Sequence, residues 1–274
     1  MNALLVRRAG HYGFIAFCAA AFIFLVAPIL VIVPLSFNAE PYFTFTEGML
    51  RLDPEAYSLR WYQNVIEDEA WSRALINSLV IGSAATLLAT ALGTLAALGL
   101  ASPAMPGRAL ITGILISPMV TPIIIVAVGM FFFYSSIGLG QSYTGLILAH
   151  AALGAPFVVI TVTATLSGFD PILLRAAASL GAGPLRRFFR VQLPLIAPGV
   201  FSGGLFAFAT SFDEVVVVLF MGGLEQRTIP RQMWSGIREQ ISPSILAVAV
   251  FLIAFAVLAL FTVQWLRGRS AQAR

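Results

Sequence analysis

Runs of about twenty apolar residues recur along the whole chain, and this repetition limits the possible folds more than any single motif. A helix rises about 1.5 Å per residue, so such a run matches a hydrocarbon core roughly 30 Å thick. Six runs can be read, at residues 12–37, 74–101, 109–134, 144–168, 198–221 and 244–266. In lipid every backbone polar group needs an internal partner. The expected fold is therefore all-α: a polytopic membrane protein with six transmembrane helices, a single transmembrane domain over residues 1–274. Only 10% of the residues are charged and mean hydropathy is +0.93. Those values exclude a soluble globular domain, a coiled coil and a nucleic-acid-binding domain, so no nucleic acid is expected as a partner.

Arg7 and Arg8 precede the first run as they would precede the core of a signal peptide. That run is longer than the roughly 7–15 residues of such a core, so it is read as a retained helix. Cys18 lies inside it and is the single cysteine, which excludes an internal disulfide and suggests a small interior residue.

Charge gives the orientation. The N-terminus, the 102–108 loop, the 169–197 loop and the C-terminus together hold ten Arg and one acid, Asp170. The opposite side holds six Arg and nine acids. Excess basic residues stay in the cytoplasm, so both termini are expected there. On the outer side, Ser58 to Ile66 suits a short interfacial helix carrying Trp61 and Tyr62. No nucleophile–base pair, phosphate-binding loop or metal-ligand spacing is present, so the chain is not expected to be an enzyme or to carry a cofactor or metal.

The cytoplasmic segment from Asp170 to Gly199 carries the strongest local signal. Asp170 suits an N-cap and Pro171 a first helical position. Ile172 to Leu180 then reads as a short helix that Gly181 can end in the left-handed conformation. Pro184 can start a second helix bearing Arg186, Arg187 and Arg190 beside Phe188 and Phe189, before Pro194 and Pro198 lead into the fifth run. A helix–Gly–helix unit exposing Leu, Ala and Phe suits a partner's groove better than a plain linker.

This segment resembles the EAA loop of the membrane subunits of binding-protein-dependent ABC importers. Asp170, Pro171, Leu173, Ala176, Ala177, Leu180, Gly181, Ala182, Leu193, Pro194, Leu195, Pro198 and Gly199 match that pattern in register, and Arg175 stands where the family usually has Glu. The W-Y-Q-N-V stretch from Trp61, A-L-I-N-S-L from Ala74, Thr228-Ile-Pro and Ser242-Pro243 extend the likeness over the whole chain. Thr210-Ser-Phe-Asp-Glu-Val-Val-Val is similar to the spermidine/putrescine branch.

The resemblance implies a type I ABC importer permease (MetI-like) fold in the bacterial inner membrane. It implies a coupling loop over residues 169–193, with ATPase contacts through Asp170, Arg175, Ala176, Ala177, Leu180, Gly181, Ala182, Leu193 and Pro194. Two ATPase subunits binding ATP and Mg, a second and different permease chain, and a periplasmic substrate-binding protein would be its partners, with membrane lipid around it. The implied substrate is a small amine such as a polyamine. An amino acid derivative or an opine is the alternative within the family.

Asp213 and Glu214 are the only acids inside any of the six runs. A carboxylate deep in a span costs roughly 2.5–3.5 kcal/mol and usually faces a bundle interior or a wet cavity. On a continuous helix two neighbours differ by about 100°, so one of the pair can face a pathway while the other pairs locally. Asp213 is the candidate for attracting a cation, with Thr210 one turn away and Phe206 two turns away on the same face; a helix-packing pair is the alternative. Pro118 and Pro122 should kink or partly unwind the third run and could line the same pathway. Gly199, Gly203 and Ala207 form a small-residue stripe suited to close helix contact. His150 suits an interior histidine better than a proton relay. An ATP-independent secondary transporter and a membrane scaffold are the competing classes. Sparse intramembrane charge and the structured basic loop weigh against the first, and the acid pair against the second.

Overall fold

The computed structural model describes residues 2–102, 104–239 and 242–272. Among these the chain is helical, with a single isolated bridge between Asn38 and Tyr57 and no strand. In chain order the helices are α1 (Asn2–Leu35), α2 (Glu47–Leu50), α3 (Arg60–Glu67), α4 (Glu69–Leu100), α5 (Arg108–Val120), α6 (Ile123–Ser136) and α7 (Tyr143–Ser167). They continue as α8 (Ile172–Ser179), α9 (Pro184–Arg187), α10 (Leu193–Asp213), α11 (Val216–Met221), α12 (Ile229–Glu239) and α13 (Ser244–Gln272). The chain divides into two compact units, residues 1–69 with 235–274, and residues 70–234.

Four stretches are long and apolar enough to cross a membrane: Gly10–Leu35, Glu69–Leu100, Tyr143–Ser167 and Pro184–Asp213. The third expected span is not one rod over 109–134: α5 and α6 meet at 105°. Pro118 cannot donate to the carbonyl of Ile114 four residues back. The Ser117 hydroxyl takes that carbonyl instead, at 2.8 Å, and the Thr121 N–H and hydroxyl both reach Ser117 O at 2.9 Å. Thr121 is then extended and Pro122 opens α6. The sixth expected span, 244–266, falls within α13, whose apolar portion Ser244–Leu258 is described; most side chains from 259 onward lie outside the described residues.

The fifth expected span, 198–221, needs two corrections. Its helix does not begin at Pro198 but runs from Pro184, passing through a π turn at Phe188–Gln192 in which Leu193 N–H reaches back five residues to Phe188 O. The wider turn lies just ahead of Pro194, whose ring would otherwise press on the carbonyl four residues before it. The expected loop 169–193 is thus continuous with the span. At its other end α10 stops at Asp213, Glu214 is extended, and the chain resumes as α11.

In the first unit, the W-Y-Q-N-V stretch forms α3, close to the expected interfacial helix. Its Trp61 Nε1 donates to Asn38 O at 2.8 Å and its Tyr62 hydroxyl lies 2.6 Å from Ser36 Oγ, stitching the first loop to the end of α1. Tyr62 also meets Phe251 of α13 edge-on. Cys18, expected as an interior residue, is exposed on α1.

In the second unit, α4, α7 and α10 bury Ala85, Ala89, Ala97, Val158, Val162 and Ala207. Ile81, Ala127, Leu146, Leu153, Val217 and Met221 form a second cluster that takes in α6 and α11. Small side chains dominate the first cluster, so these helices approach closely.

Candidate functional site

Asp170 accepts a hydrogen bond from Ile172 N–H at 2.8 Å, and Pro171 has helical dihedrals, so the Asp-Pro pair starts α8. Gly181 has φ +82°, and Ala182 N–H reaches Ala177 O at 3.0 Å while Gly181 N–H reaches Ala178 O at 2.9 Å. This pair of backward bonds closes the helix only when the residue after the cap is left-handed. The result is a stiff two-turn helix presenting Leu180, 88% exposed, together with exposed Ile172, Leu173, Arg175 and Ala176. Ala177, Ala182 and Leu193 are half-buried, and Pro194 is exposed at the start of α10.

The segment joins α7 to α10, and these two antiparallel helices form a ladder. A Cβ placed on Gly199 would meet the Thr165 hydroxyl, and one on Gly203 would meet Thr161 and sit 2.7 Å from Val158 Cα. One placed on Gly154 would lie 2.9 Å from Ala207 Cβ. Thr161 and Thr165 bond their own helix, at Phe157 O and Thr161 O, so their hydroxyls need nothing from α10. The last rung is His150, whose Nδ1 lies 2.8 Å from Ser211 Oγ with both residues buried. The small-residue stripe therefore packs within the chain, and His150 serves as an interior partner to Ser211.

Beyond that rung the span is interrupted. Asp213 is exposed and has no hydrogen-bond or ion-pair partner among the described residues. Glu214 Oε1 instead accepts Val217 N–H at 2.9 Å and caps α11. The two carboxylates are thus separated by a helix end and not by a 100° step on one helix. Glu214 has a local partner; Asp213 is free. Phe206 is 55% exposed, stacked on Phe157 with 6.1 Å between centroids, and Thr210 is half-buried. Pro118 and Pro122 lie at the α5–α6 bend.

Sequence reasoning missed a second polar cluster that fixes residues 222–231. Buried Asn77 donates to Glu225 O at 2.7 Å and to Arg227 O at 2.8 Å, and Tyr143 Oη donates to Asn77 Oδ1 at 2.9 Å. Ser78 Oγ accepts Ile229 N–H at 2.8 Å. Arg231 Nη1 holds Gly222 O and Gly223 O at 2.8 and 2.7 Å. Burial, and then the charge of Arg227, lower the pKa of Arg231 from its ordinary value, yet two carbonyls remain to hold the cation. Asn77 and Ser78 belong to the A-L-I-N-S-L stretch: two adjacent polar residues in an apolar helix were the available signal. Leu224, 72% exposed, stands on this strapped turn.

Residues 89–272 match the family described as binding-protein-dependent transport system inner membrane component. The chain is 31% identical to the spermidine/putrescine transport system permease protein PotC of Haemophilus influenzae, over 87% of this chain and 90% of that protein. It is 30% identical to the putrescine transport system permease protein PotI of Escherichia coli, over 92% and 90%. The fold is similar to a chain of a bacterial ABC transporter involved in the import of the acidic polysaccharide alginate, with a TM-score of 0.72, 17% identity and 94% and 96% coverage. The expected importer-permease fold is thereby shown, and the chain belongs to the family of inner membrane components of binding-protein-dependent transport systems.

Proposed function

We propose that this chain forms half of the translocation pathway of an ATP-driven importer for a small amine, of the spermidine or putrescine kind. The observation that carries this reading is the free carboxylate of Asp213 at the interruption of the fifth span. An ammonium group is drawn to an unpaired carboxylate, and exposed Phe206 on the same helix offers an aromatic face for the same cation. The names of the two relatives above support the substrate class. The alginate transporter has the same fold and an acidic cargo, so charge at the pathway, and not the fold, has to select the substrate.

The family and its apolar helices make this a multi-pass inner-membrane protein. Under the proposal both termini and α8 lie in the cytoplasm, in keeping with the ten-to-one ratio of Arg to acid on that side. There α8, with Leu180 and Arg175, docks on one of two ATPase subunits, which carry ATP and Mg. The strapped turn 222–231 lies outside and meets the binding protein. A second, different permease chain completes the pathway. ATP-driven movement of α8 then crosses the short turn 180–183, beyond which the helix is continuous from Pro184 to Asp213 and carries it into the span.

The test is uptake of labelled spermidine and putrescine by the whole assembly carrying Asp213→Asn or Glu214→Gln. Asp213→Asn should lower uptake at least about tenfold, the equivalent of about 1.4 kcal/mol, with assembly intact. Glu214→Gln should change it little. Unchanged uptake in Asp213→Asn would remove Asp213 from the pathway, and loss of assembly would assign it a structural role.

A further inference from the structure

Away from Asp213, a groove of about 590 Å³ lies between the end of α4, the first turns of α5 and the middle of α7. Leu100, Ile116 and Ile160 supply apolar wall; Arg108, Thr112 and Thr163 are its polar lining. Arg108 is exposed and has no hydrogen-bond or ion-pair partner among the described residues. It is also the first residue of α5, which follows Gly107 at φ +63° without a side-chain cap, so the first-turn N–H groups stay open toward the same end. Thr163 Oγ, buried in the chain, makes no hydrogen bond.

We infer that this groove holds an anionic phospholipid, with the phosphate on Arg108 and an acyl chain along Ile116 and Ile160. A free phosphate ion would use the guanidinium but leave the apolar walls bare. From Arg108 to Ile116 is about 12 Å along the helix, enough for a stretch of acyl chain. A neutral ligand would leave Arg108 without a counter-charge. The 102–108 loop lies on the Arg-rich side of the chain, where basic residues meet anionic headgroups, and a pocket between helices with a basic mouth suits such a headgroup.

The full chain in its native assembly is exchanged into nanodiscs of phosphatidylcholine and phosphatidylglycerol, and the lipid retained after detergent extraction is counted by native mass spectrometry. Wild type should retain phosphatidylglycerol in preference to phosphatidylcholine. Arg108→Gln should cut that retention about fivefold, the worth of one basic residue at an anionic surface. Arg108→Lys should keep it, and Thr163→Phe, which fills the groove without touching charge, should lose both lipids. Equal phosphatidylglycerol retention in Arg108→Gln and Arg108→Lys overturns the inference. So does unchanged lipid with loss of the second permease chain, which would give the groove to that subunit.

Discussion

His150 Nδ1 sits 2.8 Å from Ser211 Oγ, and this pair ends the ladder that begins where Gly199 faces Thr165. The rungs on α10 are four residues apart, and the pair stands two residues before the helix ends at Asp213. It therefore fixes the tip of α10 relative to α7. His150 Nε2 is buried without a hydrogen bond, so Ser211 is the only polar partner this ring has among the described residues.

Ser211→Ala should consequently leave a buried imidazole with no partner. Interhelical hydrogen bonds in membranes average about 0.6 kcal/mol, but an orphaned buried group costs about 1–3 kcal/mol. The thermal midpoint of the purified assembly should fall in Ser211→Ala and recover in part in Ser211→Ala/His150→Leu, where neither polar group remains. A double variant worse than the single would disprove the pairing.

Gly203 and Gly113 should respond oppositely to alanine. A Cβ on Gly203 would lie 2.7 Å from Val158 Cα, whereas one on Gly113 meets nothing within 4 Å. Gly203→Ala forces α7 and α10 apart at a cost of about 1–3 kcal/mol. Gly113→Ala should gain up to about 1 kcal/mol from helix propensity. Yields of folded protein by fluorescence-detected gel filtration would separate the two, and equal yields would contradict the ladder.

At Gly181 space is free but the backbone is not, since φ is +82°. Alanine there is strained by roughly 1–2 kcal/mol in the left-handed region. Gly181→Ala should fray the end of α8 and lower the uptake obtained per ATP hydrolysed. Gly183→Ala, at φ −67°, should not. Identical coupling ratios in the two variants would remove the left-handed closure from the mechanism.

Glu214 and Asp213 should differ in stability as well as transport. Loss of a capping side chain costs about 1 kcal/mol, so Glu214→Ala should lower the thermal midpoint. Asp213→Ala should leave it unchanged or raise it, since no partner is lost. A larger drop for Asp213→Ala would indicate a structural contact.

Asn77→Leu removes the amide that holds Glu225 O and Arg227 O, leaving Glu225 O the Tyr143 hydroxyl at 3.0 Å. The 222–231 segment should then become a site of limited proteolysis while α8 keeps its resistance. Cleavage at the wild-type rate would show that the remaining ties, from Tyr143, Ser78, Gln226 and Arg231, suffice.

The features legible in the sequence are those set by local chemistry. Asp170-Pro171 starts α8 because a carboxylate can accept the N–H of Ile172, and Gly181 ends it because only a residue without Cβ turns left-handed cheaply. The apolar length of α4 and α7 follows from their composition. The A-L-I-N-S-L stretch could be quoted from the sequence, but its role as a strap could not, because its acceptors lie about 150 residues further along.

The interruption after Asp213 was invisible to hydropathy, which averages across the apolar residues on both sides. Only burial of Val217, Val218 and Met221 against Ile81, Ala127 and Leu146 shows what holds α11 in place as a separate segment. The π turn at Phe188–Gln192 likewise needs three dimensions: Pro194 reads as a helix boundary until a widened turn accommodates it. By itself the sequence determined where the apolar runs lie and where α8 starts and stops. Tertiary structure decided how closely α7 and α10 approach and where α11 settles after the break at Asp213, because both depend on partners distant in the chain: Val158 for Gly203, His150 for Ser211, and the buried cluster that accepts α11.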